Sequence, residues 1–167
     1  MRKLKKFAGS ETCLKCDGCC RYHEKNGIWA VKGIKLLKNP NPAQSEFICS
    51  FLNPEKNKCK IYSSRPFECE LYPFLINQKD EKIFLAVDAN CPLVKEKSNT
   101  AEFKKYAHYL FGALNKPGMK KILPKIAQSY PGVTDIFRLN KTPLREIAIK
   151  DKKIFDKYLK LNKHELA

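Results

Sequence analysis

Cysteine is the residue through which this sequence could do chemistry. There are eight: Cys13, Cys16, Cys19, Cys20, Cys49, Cys59, Cys69 and Cys91. All lie within the first 91 residues, and four of them fall within eight residues as Cys13-x-x-Cys16-x-x-Cys19-Cys20. Thiolate is a soft, negatively charged ligand that suits zinc and iron–sulfur clusters. Cys-x-x-Cys brings two sulfurs to one metal by a tight turn. Gly18 within the loop lets the backbone fold closely, with its amides free to face sulfur. Cys49, Cys59 and Cys69 follow at intervals of ten residues. Adjacent side chains ordinarily diverge, so Cys19 and Cys20 are expected to serve different roles or centres.

Eight thiolates suffice for two tetrahedral zinc sites. They suffice equally for one [4Fe-4S] cluster with four residual thiols, or for a polynuclear centre. A third cysteine three residues after a Cys-x-x-Cys matches the run that wraps a cubane cluster in bacterial ferredoxins, where a Cys-Pro supplies a further ligand. Cys91-Pro92 has that form. These two features favour iron–sulfur, whereas the wide separation of Cys49, Cys59 and Cys69 suits two zinc sites equally well. A metal ligated entirely by thiolate has no open position for substrate, so the centre would be structural, or would serve electron transfer or sensing rather than hydrolysis. The competing reading is four disulfides, or reduced cysteines that merely pack. The N-terminal stretch Met1 to Gly9 is basic but has no apolar run behind it, unlike a secretory signal. A cytoplasmic location with reduced thiols is therefore expected.

Other residue types add little. Arg65 is expected to hydrogen-bond or ion-pair with the cluster loops and offset thiolate charge. Tyr62 and Tyr72 are read as packing around the metal. His23, His108 and His164 are scattered, and His23 is a poor competitor among so many thiols. The sequence has no Ser-His-Asp set, no phosphate-binding glycine loop and no close carboxylate pair in an acid–base context.

The elements that must hold the cysteines can be read from turn signals and periodicity. Ile28 to Val31 is a strand candidate, and Asn39-Pro40-Asn41-Pro42 is a turn. Phe47 to Leu52 and Lys58 to Tyr62 are expected to pair as a hairpin across Asn53 to Asn57. Arg65-Pro66-Phe67 opens a short helix carrying Cys69, with Pro66 early in it. Phe74 to Ile76 and Ile83 to Val87 flank a polar turn and form a second hairpin. Phe103, Tyr106, Ala107, Leu110, Phe111 and Leu114 then recur at helical spacing, with Asn99 and Glu102 as a capping box. A similar pattern runs from Met119 to Tyr130, interrupted by Pro124. Val133, Ile136 and Phe137 read as one more helical turn. Leu144 to Ile149 alternates like a strand, and Asp151 suits the cap of a last helix. The fold class is thus α+β. A cysteine-cluster domain over residues 10–97, with two β-hairpins and irregular loops, is followed by a mainly helical extension over residues 98–167.

The chain has 167 residues, which is one domain or one domain with an appendage. Hydrophobic residues make up 43%, enough to build a core and exclude global disorder. No apolar run approaches the ~20 residues of a membrane-spanning helix. The net charge is +16. Residues 1–99 carry 18 Lys/Arg against 11 Asp/Glu, and residues 100–167 carry 15 against 6. Such an excess favours an anionic partner, nucleic acid among them. Lysine supplies most of it, however, and base-reading contacts tend to use arginine. A solvated surface is the simpler reading.

One further pattern bears on function. The run Cys13-x-x-Cys16-x-x-Cys19-Cys20 is followed by Cys49-x-Phe51-Leu52, by Cys59-x-Ile61-Tyr62-x-x-Arg65-Pro66-x-x-Cys69-x-x-Tyr72-Pro73-Phe74, and by Cys91. This resembles the YkgJ-type cysteine-cluster family, which is described as zinc- or iron-chelating and has eight cysteines. The flagellin lysine N-methylases carry a similar cluster. The resemblance covers residues 13–92 and implies metal binding through all eight cysteines. Residues 142–159 faintly resemble the opening of the phosphatidylglycerol lysyltransferase-like domain. The expected function is a metal-binding protein that holds an iron–sulfur centre or zinc for redox, sensing, or protein modification or maturation, with a protein partner. Two alternatives are an enzyme related to the lysine methylases, for which no Gly-rich donor motif is visible, and a zinc-stabilised nucleic-acid module.

Overall fold

The structure is a computed structural model that describes residues 4, 5, 7, 14, 16, 18–25, 27–43 and 45–139. The expected strand at Leu144 to Ile149, the Asp151 helix and the resemblance over residues 142–159 lie outside the described residues. The chain divides into two compact units, Met1–Tyr72 and Pro73–Ala167. Both strands and helices are present, and the fold is α+β. Among the described residues no helix is long and apolar enough to cross a membrane.

The first unit is built from short pieces. Strands β1 (Arg21–Tyr22), β2 (Leu36–Lys38) and β3 (Phe47–Cys49) form an antiparallel sheet in the order β1-β3-β2. Arg21 stands opposite Ile48, and Leu36 opposite Cys49. Strands β4 (Leu52–Asn53) and β5 (Lys58–Cys59) make a separate ribbon with Leu52 opposite Cys59. A 3-10 turn, Tyr62–Ser64, leads into helix α1 (Phe67–Leu71). Pro66 precedes α1, where its missing N–H costs nothing. The core here is small. Tyr22, Ile48, Cys49 and Leu52 are buried, with Cys20, Trp29, Ala30, Ile34, Leu36 and Phe47 packed against them.

Two expectations for this unit change. Ile28 to Val31 is not a strand but a run of turns, closed by Ala30 N–H donating to the Gly27 carbonyl at 2.9 Å. Trp29 and Ala30 satisfy their apolar character by packing on the core without a strand partner. The strand expected over Phe47 to Leu52 breaks after Cys49. Its first part pairs with β1 and β2, and its last part with β5. The expected hairpin survives as the short β4–β5 ribbon, and the segment after Cys59 enters the 3-10 turn.

The second unit has longer elements. Strands β6 (Phe74–Lys79), β7 (Lys82–Asp88) and β8 (Val133–Arg138) form an antiparallel sheet with β7 at its centre. The β6–β7 turn is Asp80-Glu81, with φ of 47° and 58°, the pair of left-handed residues that a two-residue hairpin favours. Helix α2 (Pro92–Lys97) starts with Pro92 after Cys91, and α3 spans Ala101–Leu114. A 3-10 turn, Pro117–Lys121, leads into α4 (Leu123–Ile126), where Pro124 is accommodated in the first turn. The face of α3 predicted from periodicity is the buried one: Phe103, Ala107, Leu110, Phe111 and Leu114. Phe103 stacks on Phe74 with ring centroids 5.1 Å apart, and Phe111 meets Phe137 at 4.8 Å.

Three local expectations for this unit are corrected. The cap of α3 is Thr100 rather than Asn99. Its Oγ1 accepts from Phe103 N–H at 3.2 Å and donates to the Lys97 carbonyl at 2.7 Å. The helix expected to run on to Tyr130 ends at Ile126. Beyond it, Gln128 N–H donates to Ile76 O at 3.2 Å and Gln128 O accepts from Gln78 N–H at 2.8 Å, which covers the open edge of β6. Finally, Val133, Ile136 and Phe137 lie in strand β8. A bulge at Leu85/Ala86 sets Leu85 against Phe137 and Ala86 against Asp135, so Ile136 is the extra residue.

Candidate metal centre

The first unit sets several of its described cysteines within electrostatic reach of a neighbouring thiol. Gly18 N–H points at Cys16 Sγ at 3.4 Å, and the Arg21 amide closes the following turn onto the Gly18 carbonyl at 3.2 Å. A β-carbon on Gly18 would stand 3.4 Å from Cys16 Sγ and 3.8 Å from the Tyr72 hydroxyl, both ordinary contact distances. Cys20 immediately precedes β1. Its carbonyl accepts from Cys49 N–H at 3.0 Å, which extends the β1–β3 ladder by one rung and sets Cys20 opposite Cys49. Cys59 ends β5, and Cys69 lies in the middle of α1. Segments far apart in sequence thereby deliver thiols to one neighbourhood.

The electrostatics record this gathering. Burial raises the Cys69 thiol to about 12, with the charges of Cys19 and Cys49 adding to it and Arg65 opposing it. Burial is also the main cause that raises Cys49, which feels Cys59 and Cys19 as well. Cys19 is raised most. A hydrogen bond to the Cys20 thiol is the leading cause, followed by desolvation, although part of the residue reaches the surface. The two neighbours lie in a turn rather than a strand. Tyr22 donates its hydroxyl to the Cys19 carbonyl at 3.2 Å. Its phenol is raised chiefly by burial and then by the charges of Cys20, Cys49, Cys69 and Cys19.

Arg65 lies in the same neighbourhood. Its charge lowers both Cys19 and Cys69. Its guanidinium carbon sits 4.0 Å above the Tyr62 ring, and its buried Nε has no hydrogen-bond acceptor among the described residues. A buried guanidinium N–H without an acceptor is costly. Two further residues support the loop and were not anticipated from sequence. Asn57 Nδ2 donates to the Leu14 carbonyl at 2.9 Å and to the Cys16 carbonyl at 3.1 Å, and its Oδ1 accepts from Arg21 Nη1 at 2.8 Å. Asn57 has a φ of 48° in the β4–β5 turn, and Asn in a turn just before a cysteine was the available signal. Tyr22, next to the Cys pair, gave none.

The remaining predicted site residues are distributed as follows. Cys13 lies outside the described residues. Cys91 belongs to the second unit, where it is buried. Its N–H donates to the Asp88 carbonyl at 3.2 Å, and its carbonyl accepts from the Val94 and Lys95 amides in the first turn of α2. Cys16, Cys19, Cys20, Cys49, Cys59 and Cys69 are free thiols.

The donor set suits a thiophilic metal in kind: soft thiols, an amide directed at sulfur and a cation to offset their charge. It is not a closed coordination shell. Among the described residues, no three His, Cys, Asp or Glu side chains stand close enough to share one ion.

Residues 12–92 match the family model CxxCxxCC, described as a "putative zinc- or iron-chelating domain". Comparisons with curated proteins and with solved structures return no match. Through residues 12–92, which contain every cysteine considered above, the chain is similar to the CxxCxxCC family.

Proposed function

We propose that this domain holds its metal through thiolates drawn from Cys13, Cys16, Cys19, Cys20, Cys49, Cys59, Cys69 and Cys91, as an iron–sulfur centre in preference to zinc. The observation that carries the thiolate reading is the chain of thiols that feel one another's charge, Cys20 with Cys19, Cys19 with Cys49 and Cys69, and Cys49 with Cys59, with the Arg65 charge acting on Cys19 and Cys69. Clustering thiols around a cation raises no stability by itself, because each added thiolate repels the others. The arrangement becomes favourable when a metal neutralises them. The preference for iron–sulfur rests on the Cys13-x-x-Cys16-x-x-Cys19 spacing and on Cys91-Pro92.

In this reading each part of the chain has a task. The Cys16–Cys20 loop supplies sulfur and directs the Gly18 amide at it. Strands β3 and β5 fix Cys49 and Cys59, and α1 presents Cys69. Arg65 lowers the electrostatic cost of collecting thiolates. A bound iron–sulfur centre would supply one-electron chemistry, so the work is electron transfer or sensing on behalf of a protein partner.

The test is anaerobic purification of the full chain, followed by elemental analysis and a visible spectrum. Iron with labile sulfide and a broad absorbance near ~400 nm are expected. A colourless protein with about two zincs per chain would retain thiolate chelation and overturn the iron–sulfur assignment. A folded chain with no zinc or iron, and with every thiol titratable, would overturn both.

A further inference from the structure

We infer that Asn57 is the positioning residue that sets the Cys16 loop against the Cys59 ribbon before any metal arrives; the inference rests on the thiolate reading above. One side-chain amide does the joining. Both Nδ2 hydrogens are used, on Leu14 O at 2.9 Å and Cys16 O at 3.1 Å, and Oδ1 accepts from Arg21 Nη1 at 2.8 Å. These ties span 43, 41 and 36 residues of sequence. They reach both sides of the cysteine loop. Leu14 and Cys16 lie before Gly18, and Arg21 opens β1 just after Cys20.

The residue type follows from two requirements at one position. The turn needs a φ of 48°, which among residues with side chains Asn tolerates best. The loop needs a donor of two hydrogen bonds and an acceptor of one, which a primary amide supplies. Glycine would meet the first requirement only. Asn57 also stands two residues before Cys59, so the tether holds the Cys16 loop and a β5 thiol in fixed relation. A loop already held loses less conformational freedom when it takes a metal. Outer residues that orient ligand-bearing segments commonly carry 10–100-fold in metal affinity.

The experiment compares the full-length protein with Asn57→Gly and Asn57→Ala. Zinc ion alone is the probe, and affinity is read by competition with a chromophoric chelator. Hydrogen exchange is followed at the Gly18 and Arg21 amides of the metal-free chain. Asn57→Gly is expected to bind zinc about 10–100-fold more weakly. Both amides should exchange faster, while residues 73–139 keep their wild-type protection. Should Asn57→Ala fail to fold, the glycine variant decides alone, because it keeps the left-handed turn and removes only the amide. Wild-type affinity and unchanged exchange in Asn57→Gly would overturn the inference. If the wild-type chain itself takes neither zinc nor iron, the thiolate reading fails, and the exchange at Gly18 and Arg21 still decides whether Asn57 orders the loop.

Discussion

Among the described residues of Met1–Tyr72 no strand is longer than three residues, and the buried cluster is Tyr22, Ile48, Cys49 and Leu52. In residues Pro73–Ala167 one strand runs for 7 residues and one helix for 14, and Phe74, Leu85, Phe103, Leu110, Leu114, Leu123 and Phe137 are almost fully enclosed. The second unit is a conventional two-layer design, in which apolar area drives the fold. The first has little such area and spends part of its small core on cysteine. Its local order comes from backbone ties around thiols, such as Cys49 N–H to Cys20 O and the Asn57 amide. A segment this small ordinarily needs a metal or disulfides to be stable. On the proposed thiolate reading, one chain holds two kinds of stability, one by apolar packing and one by ligation.

The largest predicted effect breaks the two apart. Removing metal from the full chain with a chelator should destabilise residues 16–72 by on the order of 10 kcal/mol, the scale of structural metal binding. Residues 73–139 should keep their protection in hydrogen exchange. Equal loss of protection in both units would refute the contrast. Next in size is Phe103→Ala, which removes a ring that is 1% exposed and stacked on Phe74. It should cost the second unit about 3–5 kcal/mol in denaturant unfolding, with metal content unchanged.

A smaller effect is expected for Arg65→Met, which preserves much of the side chain's bulk and removes its charge. Metal affinity should fall about 10–100-fold, measured by chelator competition. Wild-type affinity would show that Arg65 packs on Tyr62 without serving the thiols. The smallest effect concerns pH in the metal-free chain. The Cys69 thiol is raised to about 12, chiefly by burial. A raised thiol favours the folded state while protonated in both states. That contribution is whole below the ordinary thiol range and is lost as pH rises towards 12. Thermal unfolding of the metal-free first unit should therefore move to lower temperature on raising the pH above about 8.5, the ordinary thiol value.

Helix α3 was legible because Phe103, Ala107, Leu110, Phe111 and Leu114 repeat at the helical period, and nothing tertiary overrides them. Helix α1 and the β6–β7 hairpin were legible from Pro66 and from a polar turn between apolar runs. Strand β8 was not. With Val133, Ile136 and Phe137 at spacings of three and one, the segment mimics a helix. The bulge opposite Leu85/Ala86 breaks the alternation, leaving Ile136 and Phe137 both buried. The split of Phe47 to Leu52 between two ribbons was equally hidden, since strand partners are chosen by distant residues. At the site, the cysteines and Arg65 could be named from type and spacing. Asn57 and Tyr22 could not, because their roles depend on contacts with carbonyls of remote segments.

By itself the sequence determined the cysteine pattern, its likeness to a zinc- or iron-chelating domain over residues 12–92, and the α+β class. Residue type and short spacing encode these directly: a thiol is soft wherever it sits, and a Cys-x-x-Cys is local. Tertiary structure decided that Cys20 stands opposite Cys49 and that one asparagine ties the loop to the ribbon. Those outcomes depend on burial and on pairing across tens of residues, where the partner lies far along the chain and no local pattern records it.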